Sequence, residues 1–468
     1  NYGYARYGLA EAPVAVAAHL AADWVRYDNG RTKFWEIGNE SNGAWQAGYR
    51  IKTADNKDGQ PEIITGALYG KHFKVFADSM RKAATEKGST IYIGAQLLQE
   101  EPASWWNATD KTWNTGVFQE AKNLPDYYII HSYYTPYNAN SKAADILSSA
   151  VSVTKNMMAY VVQAQSQAGV TAKPIALTEW NIFAVGSKQQ VSYINGMHAA
   201  MVLGELVKNK YGLACRWDLA NAWDNGNDHG MFNQGDEPGG IPKWNARAVF
   251  YYMYFFQRYT GDHMVQSSVF GNADIISYAS TFNGKDAGVT VVNKGTSEQT
   301  VKLEMHNFSK GERYYMHILT GGTDNGEFSQ KVFVNNNGPS IASGGPPAFE
   351  AIPAQSANID GGIVFTAPPR SVAYLLIDHG DEVTATMDAE EVKLNVFPNP
   401  TSGKLTIQLP APGFRSVEVF DITGKSIYQE TLELSQTSLE IDPSPIRGVY
   451  LIRLSGSKND FVTKVVIE

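Results

Sequence analysis

The sequence predicts an α/β region built from repeated βα units, then an all-β module, then a small β-rich end domain. Three observations predict it. Over the first 260 residues, short apolar runs alternate with segments of helical period. From about residue 265 the pattern changes to short alternating strands with Gly and Asn turns, as in Gly288-Val289-Thr290-Val291-Val292-Asn293. A polar, acidic stretch over 379–391 then sets apart a last β-rich unit over 392–468.

The elements of the first region follow in order. Pro13 suits a first helical turn; Val14, Ala17, Ala18, Ala21, Trp24 and Val25 recur at helical spacing, and Gly30 ends the helix. Lys33 to Gly38 reads as a strand that runs into Asn39-Glu40. Phe73, Phe76, Ala77, Met80 and Ala84 share the face of a second helix closed by Gly88. Ile91 to Ala95 is the next buried strand, and Tyr127 to His131 the one after it. Ile146, Ala150, Val153, Met157 and Val161 mark a further helix. Ile175-Ala176-Leu177-Thr178-Glu179 is a strand, a helix covers roughly 188–209, and Ala214 to Leu219 is the last strand. The all-β module, over 263–378, closes with Ser371-Val372-Ala373-Tyr374-Leu375-Leu376.

At 468 residues the chain is long enough for two or three domains. A net charge of -8 without a basic stripe excludes nucleic acid as the main partner. No apolar run is long enough to cross a bilayer as a helix. The one cysteine, Cys215, rules out an intrachain disulfide, and its place in Leu213-Ala214-Cys215 predicts a buried, inert thiol. The opening Asn1-Tyr2-Gly3, with neither initiator Met nor signal peptide, suggests a mature or truncated product. Asp224 to His229 has oxygen donors but no metal-site spacing and reads as a polar rim loop. With no phosphate loop, nucleotide fingerprint or Ser-His-Asp motif in view, no cofactor is expected.

Two glutamates carry the chemistry. Glu40 ends Trp35-Glu36-Ile37-Gly38-Asn39-Glu40, and Glu179 ends Ala176-Leu177-Thr178-Glu179 before Trp180. A barrel of parallel strands gathers such residues at one rim. Two carboxyl groups, one protonated and one ionised, are what glycoside hydrolysis requires. Either glutamate alone could be a structural hydrogen-bonder; two in these contexts, about 140 residues apart, point to catalysis. Glu36, four residues before Glu40, reads as a structural carboxylate. Trp217 and Trp223 flank the last strand as candidate sugar platforms, with core packing the alternative for Trp217. Trp45, Trp105, Trp106 and Trp113 fall in long polar loops where burial is hard to arrange, so at least one should line a cleft.

Trp35 to Glu40 followed by Glu179-Trp180 resembles clan A of the glycoside hydrolases, whose (β/α)8 TIM barrels carry Asn-Glu after the fourth strand and Glu after the seventh. The resemblance spans about residues 1–380 and implies a catalytic barrel portion over 1–262. It implies that Glu40 is the acid/base, that Glu179 is the nucleophile, and that Asn39 donates to the sugar hydroxyl beside the anomeric carbon. It further implies retention of configuration, with His131 or Tyr133 bonding the nucleophile or the substrate. On this pattern the chain holds strands four to eight. The first three, absent from the sequence, would come from a further N-terminal barrel portion or from a second chain.

In the end domain, Phe397-Pro398-Asn399-Pro400-Thr401-Ser402-Gly403, Val419 to Lys425, Gly448 to Ile452 and Lys464 to Ile467 make short strands with turns between them, a small Ig-like β-sandwich. The series resembles the type IX secretion C-terminal sorting domain of Bacteroidetes. That implies a secreted or cell-surface protein that crosses the periplasm and meets the type IX machinery. The expected function is hydrolysis of O-glycosidic bonds in an extracellular plant or algal polysaccharide. The Trp35–Glu40 phrase looks most like alpha-L-arabinofuranosidases; beta-agarases and the clan's endo-glucanases or xylanases stay open, as does an inactive glycan-binding surface protein.

Overall fold

The computed structural model describes residues 2–7, 14–55, 59–137, 139–183, 187–283, 285–380, 394–409, 414–421, 425–433, 435–442, 447–456 and 460–467. Asn1, Pro13, Ile422-Thr423-Gly424 and the linker from 381 onward lie outside these residues. The chain divides into two compact units, residues 1–381 and 382–468.

In the first unit, α1 (Tyr2–Tyr7) and α2 (Val14–Tyr27) precede five parallel strands: β1 (Phe34–Glu36), β2 (Tyr92–Gln96), β3 (Tyr127–Tyr133), β4 (Ile175–Asn181) and β5 (Leu213–Arg216). They pair in sequence order, with β1 and β5 as the sheet's two edges. A helix follows each: α3 (Gly66–Glu86), α4 (Ala108–Ala121), α5 (Ala143–Gln167), α6 (Tyr193–Lys208) and α7 (Ala248–Tyr259). This is the expected βα repeat, closed to a half-barrel. Thr65 caps α3 by accepting from the Leu68 N–H, and Phe73, Phe76, Ala77, Met80 and Ala84 are buried as the pattern requires.

Helices α1, α4 and α7 escaped the periodicity. α4 carries Trp113, which is fully buried with its indole N–H on the Gln96 carbonyl at 3.0 Å; it is a core residue, not a cleft residue. Helix α7 is apolar almost all round (Ala-Val-Phe-Tyr-Tyr-Met-Tyr-Phe-Phe), because it lies between the half-barrel and the β module.

The sheet face turned away from the helices is exposed toward its two edges, while Tyr127, Ile129 and Ala176 in its middle are buried. Phe34 stacks on Tyr92 at 5.3 Å, yet both are exposed, as are Leu213 and Cys215. The expectation of a buried Cys215 is therefore wrong: the apolar run does sit in a strand, but β5 is an edge strand with Leu213, Ala214 and Cys215 all exposed. Trp24, counted into the apolar face of α2, is also exposed, together with Val16, Leu20 and Tyr27, which form one stripe along the helix.

Between β5 and α7 lie the short strands β6 (Ala220–Asn221) and β7 (Phe232–Asn233), paired in parallel. The β module follows with β8 (His263–Val265), β9 (Ile275–Thr281), β10 (Ala287–Asn293), β11 (Gln299–Leu303), β12 (Lys310–Gly321), β13 (Asp324–Glu327), β14 (Val332–Val334), β15 (Gln355–Asn358), β16 (Ile363–Ala367) and β17 (Ser371–His379). Its main sheet runs β14-β12-β17-β10-β9-β8, with β15 beside β12; β11 and β16 form a second layer. Val292, Leu319 and Tyr374 share one continuous core with α6 and α7, and the Tyr374 hydroxyl donates to the Tyr252 carbonyl at 2.9 Å.

The second unit packs a three-stranded sheet, β18 (Asn395–Phe397), β19 (Leu405–Gln408) and β22 (Ser438–Ile441), with a four-stranded one, β21 (Ser426–Thr431), β20 (Phe414–Asp421), β23 (Gly448–Gly456) and β24 (Asp460–Ile467). Ile407, Val417, Ile452, Leu454 and Val465 form its own core. Among the described residues, no helix is long and apolar enough to cross a membrane.

Candidate active site

The C-terminal ends of β1, β3 and β4 converge on one carboxylate cluster. Glu40 stands four residues beyond β1, in the left-handed region at φ 42°. A non-glycine residue pays for that conformation, so the fold holds it there. Its Oε2 accepts the Trp45 indole N–H at 2.9 Å, and its Oε1 lies 3.1 Å from His131 Nδ1. Glu179, near the end of β4, lies opposite His131 in the β3–β4 register. Its Oε2 is 3.5 Å from the same Nδ1, and its Oε1 accepts the Tyr133 hydroxyl. One oxygen of each glutamate and a His131 nitrogen all lie within 4.8 Å of one another.

A register shift between Ile130 and His131 makes this meeting possible. Regular alternation down β4 would put Thr178 and Glu179 on opposite faces. The irregularity brings both toward His131, and Thr178 Oγ1 lies 3.3 Å from its Nε2.

The surroundings push the two carboxyls in opposite directions. Burial works to raise Glu40, but the His131 and Trp45 hydrogen bonds outweigh it, and its pKa falls below the ordinary value. For Glu179 burial prevails: the Tyr133 bond and His131 offset it only in part, Glu40 and Glu36 add repulsion, and its pKa is raised. His131 is raised too, because the glutamates around it overcome the burial that would lower it. Burial also raises Glu36, against a Thr178 hydrogen bond and His131; water reaches Glu36 from the open face and limits this effect. Glu36 thus belongs to the cluster's electrostatics, although β1 ends before Glu40 and the two do not share a strand face.

Tyr133 is fixed from both sides. Its ring stacks on Phe183 at 4.0 Å and meets His229 edge-on at 5.4 Å. Burial, then Arg216, pushes His229 down to about 4, so this ring is neutral. Behind them, fully buried Asn181 donates to the Trp217 carbonyl at 2.7 Å and accepts from Arg216 at 3.3 Å.

The structure thus brings together Glu40, Glu179, His131, Tyr133 and Trp45. Asn39 lies exposed beside Glu40. Trp217, at the end of β5, is half exposed, while Trp223 sits farther along the same loop with its backbone N–H on Asp236. Neither has a hydrogen bond to the glutamates among the described residues. Sequence reasoning missed Thr178, Phe183, Arg216 and His229. Arg216 alone left a signal, a charged residue at the end of an apolar strand.

Three close donors could also hold a metal ion. Against that use, the other oxygen of each glutamate already takes an N–H or O–H donor, and the raised pKa of His131 favours its protonated, non-ligating form.

Residues 395–468 match the secretion system C-terminal sorting domain family. Solved structures similar to the chain include a family 44 glycoside hydrolase endoglucanase from Clostridium acetobutylium ATCC 824, with a TM-score of 0.53 at 11% identity over 76% of this chain and 70% of that one. A family 86 glycoside hydrolase in complex with neoagarooctaose gives a TM-score of 0.51 at 11% identity, over 97% of this chain and 74% of that one. No match was found among curated proteins. The chain therefore shares the fold of clan A glycoside hydrolases and ends in a type IX sorting domain, which marks it as a secreted or cell-surface protein.

Proposed function

We propose that this chain is a retaining glycoside hydrolase that acts outside the cell on O-glycosidic bonds of a plant or algal polysaccharide. The observation that carries the reading is the closeness of Glu40 and Glu179 at the C-terminal rim of the sheet. Retaining enzymes hold their carboxyl groups about 5–5.5 Å apart, whereas inverting ones keep them about 6.5–9.5 Å apart to admit a water. Glu40 then protonates the leaving oxygen while Glu179 attacks the anomeric carbon. Water hydrolyses the glycosyl-enzyme with Glu40 as base. Asn39 donates to the neighbouring sugar hydroxyl, and Tyr133 aims the Glu179 oxygen.

In the free state the pKa directions run against these roles, with Glu40 low and Glu179 high. His131 reconciles the two, because its Nδ1 is 3.1 Å from Glu40 and 3.5 Å from Glu179. When a sugar fills the site, a small shift of the ring toward Glu179 takes a lowering hydrogen bond from Glu40 and gives it to the nucleophile. Desolvation by the sugar then raises Glu40 toward a general acid.

The two open edges, exposed Phe34, Tyr92 and Leu213 beside them, and the bare stripe on α2 support completion of the barrel. Three further βα units, from an N-terminal portion or a second chain, bring five strands to eight. On substrate, the Trp35–Glu40 phrase favours arabinofuranosidase activity, while exposed Trp45, Trp105 and Trp217 favour cleavage along a chain, as in a beta-agarase, endo-glucanase or xylanase.

The test is a panel of polysaccharides and aryl glycosides, with wild type beside Glu179→Gln. Hydrolysis that survives the substitution refutes the mechanism. Proton NMR of the first product should show retained configuration; inversion removes Glu179 as nucleophile. Glycan binding without any hydrolysis would favour an inactive binding protein.

A further inference from the structure

We infer that Trp244 is a sugar-stacking platform, a subsite for a ring of the polysaccharide other than the one held by Glu40 and Glu179. The inference rests on the glycosidase reading for its ligand class but not for its geometry. Trp244 is 58% exposed and has φ 67°. Water disfavours an exposed indole, and the left-handed region disfavours any bulky side chain. Both costs fall on one residue, and the surrounding loop is built to hold it there.

The holding group is Asn233, fully buried. Its carbonyl accepts the Trp244 N–H at 2.5 Å and its own N–H donates to the Asn245 carbonyl at 3.0 Å. Its side chain accepts from the Gly235 N–H at 2.8 Å and donates to the Pro242 carbonyl at 3.2 Å. One buried residue thereby closes the loop, its side chain bridging Gly235 and Pro242 and its backbone holding 244 and 245. Asp236, on that loop, accepts the Trp223 N–H at 2.9 Å and ties the two tryptophan-bearing segments together. Because the whole insert leaves β5 at its C-terminal end and enters α7 at its start, it lies on the rim that carries the glutamates.

Lys243 Nζ sits over the indole, 5.0 Å from its centroid. The cation lies over one face of the ring, and more than half of the residue stays open to solvent. A flat aromatic face in a polar frame suits the C–H face of a sugar, and the nearby ammonium suits its hydroxyl oxygens.

The test uses the full chain carrying Glu179→Gln, which halts cleavage, in affinity electrophoresis through hydroxyethyl cellulose, xyloglucan, arabinan and agar. Added Trp244→Ala should weaken retardation by the bound polymer about tenfold, the scale of one aromatic stacking contact. Trp244→Phe should retain most of it, with unfolding midpoints unchanged. In the active chain, Trp244→Ala should lower kcat/KM on that polymer about tenfold and leave an aryl glycoside untouched. Equal retardation of parent and Trp244→Ala overturns the inference, as does a Trp244→Phe variant as weak as Trp244→Ala, or a parent that no polymer retards. If no polymer is hydrolysed by the wild type but retardation still depends on Trp244, the platform stands and the glycosidase reading falls.

Discussion

His131 Nδ1 lies 3.1 Å from Glu40 Oε1, and this one contact ties the stability of the site to pH from both sides. The folded-state pKa of His131 is raised above its ordinary 6.5, so its contribution is full below 6.5 and is lost as pH rises through the folded value. Glu40 is lowered from 4.5, so its contribution is present above 4.5 and is lost as pH falls through the folded value. The pair should stabilise most between these limits. His131→Gln should cost about 2 kcal/mol there and progressively less on the alkaline side. Thermal midpoints of the two proteins against pH check this; curves that stay parallel across the range refute it.

Tyr133→Phe removes the hydroxyl that bonds Glu179 and leaves the ring stacked on Phe183. That bond lowers the Glu179 pKa against its burial, so without it the carboxyl should rise further. The acidic limb of the kcat/KM profile should move to higher pH. A hydrogen bond to a charged group is worth about 1.5–3 kcal/mol, so kcat/KM should drop roughly tenfold to a hundredfold. A lower rate with an unmoved limb would mean that Tyr133 only packs.

Glu40→Gln separates proton donation from attack. General acid–base groups contribute about 10²–10⁴ in rate, and that loss should appear in full on polysaccharide. With a nitrophenyl glycoside, whose leaving group needs little protonation, the first step should be nearly normal and a burst of nitrophenol should precede slow turnover. Equal losses on both substrates would reassign Glu40.

The half-barrel was legible in the sequence because burial leaves apolar runs in the strands, and the meeting of Glu40 and Glu179 because each follows such a run: Ile175 to Leu177 is apolar before Thr178-Glu179. What the period could not show was α4, whose apolar face is broken by Thr109, Asn114 and Gly116, polar or small residues that are nonetheless buried. Trp113 therefore looked like a loop residue. Cys215 misled for the opposite reason, since an apolar strand predicts burial only where something covers it. The supporting residues of the site, Phe183 and His229, come from loops that meet Tyr133 only in three dimensions, and no local pattern could announce them.

Helices α3 and α4 approach so closely that a Cβ on Gly66 would stand 2.1 Å from the Trp113 carbonyl oxygen, and one on Gly116 would stand 2.3 Å from the Ala67 nitrogen. Both neighbours are backbone, which cannot swing aside. Gly66→Ala should therefore destabilise the first unit by about 1–3 kcal/mol or more, despite alanine's better helix propensity. Denaturant unfolding measures it; a neutral or stabilising outcome would mean that the helices can separate freely.

Arg247, 1% exposed at the start of α7, holds two buried carboxylates: Glu237 at 3.3 Å and Asp228 at 3.6 Å. It also donates to Asn221 Oδ1 at 2.8 Å and to the Gly230 carbonyl at 3.2 Å, so it binds together the loops that carry Trp223 and Trp244. Burial raises both acids, and Arg247 offsets that rise. Arg247→Ala leaves the two carboxylates buried without their cation, a loss of about 3–5 kcal/mol. Their folded pKa values should climb further above the unfolded ones. A carboxyl with a raised folded pKa destabilises as pH rises through the unfolded value toward the folded one, so the defect should be largest at neutral pH and shrink on acidification. Adding Asp228→Asn and Glu237→Gln should recover much of the stability at pH 7. Denaturation midpoints for the single and triple variants at neutral and acidic pH decide it; a defect that ignores both pH and the compensating substitutions would show that Arg247 acts through packing alone.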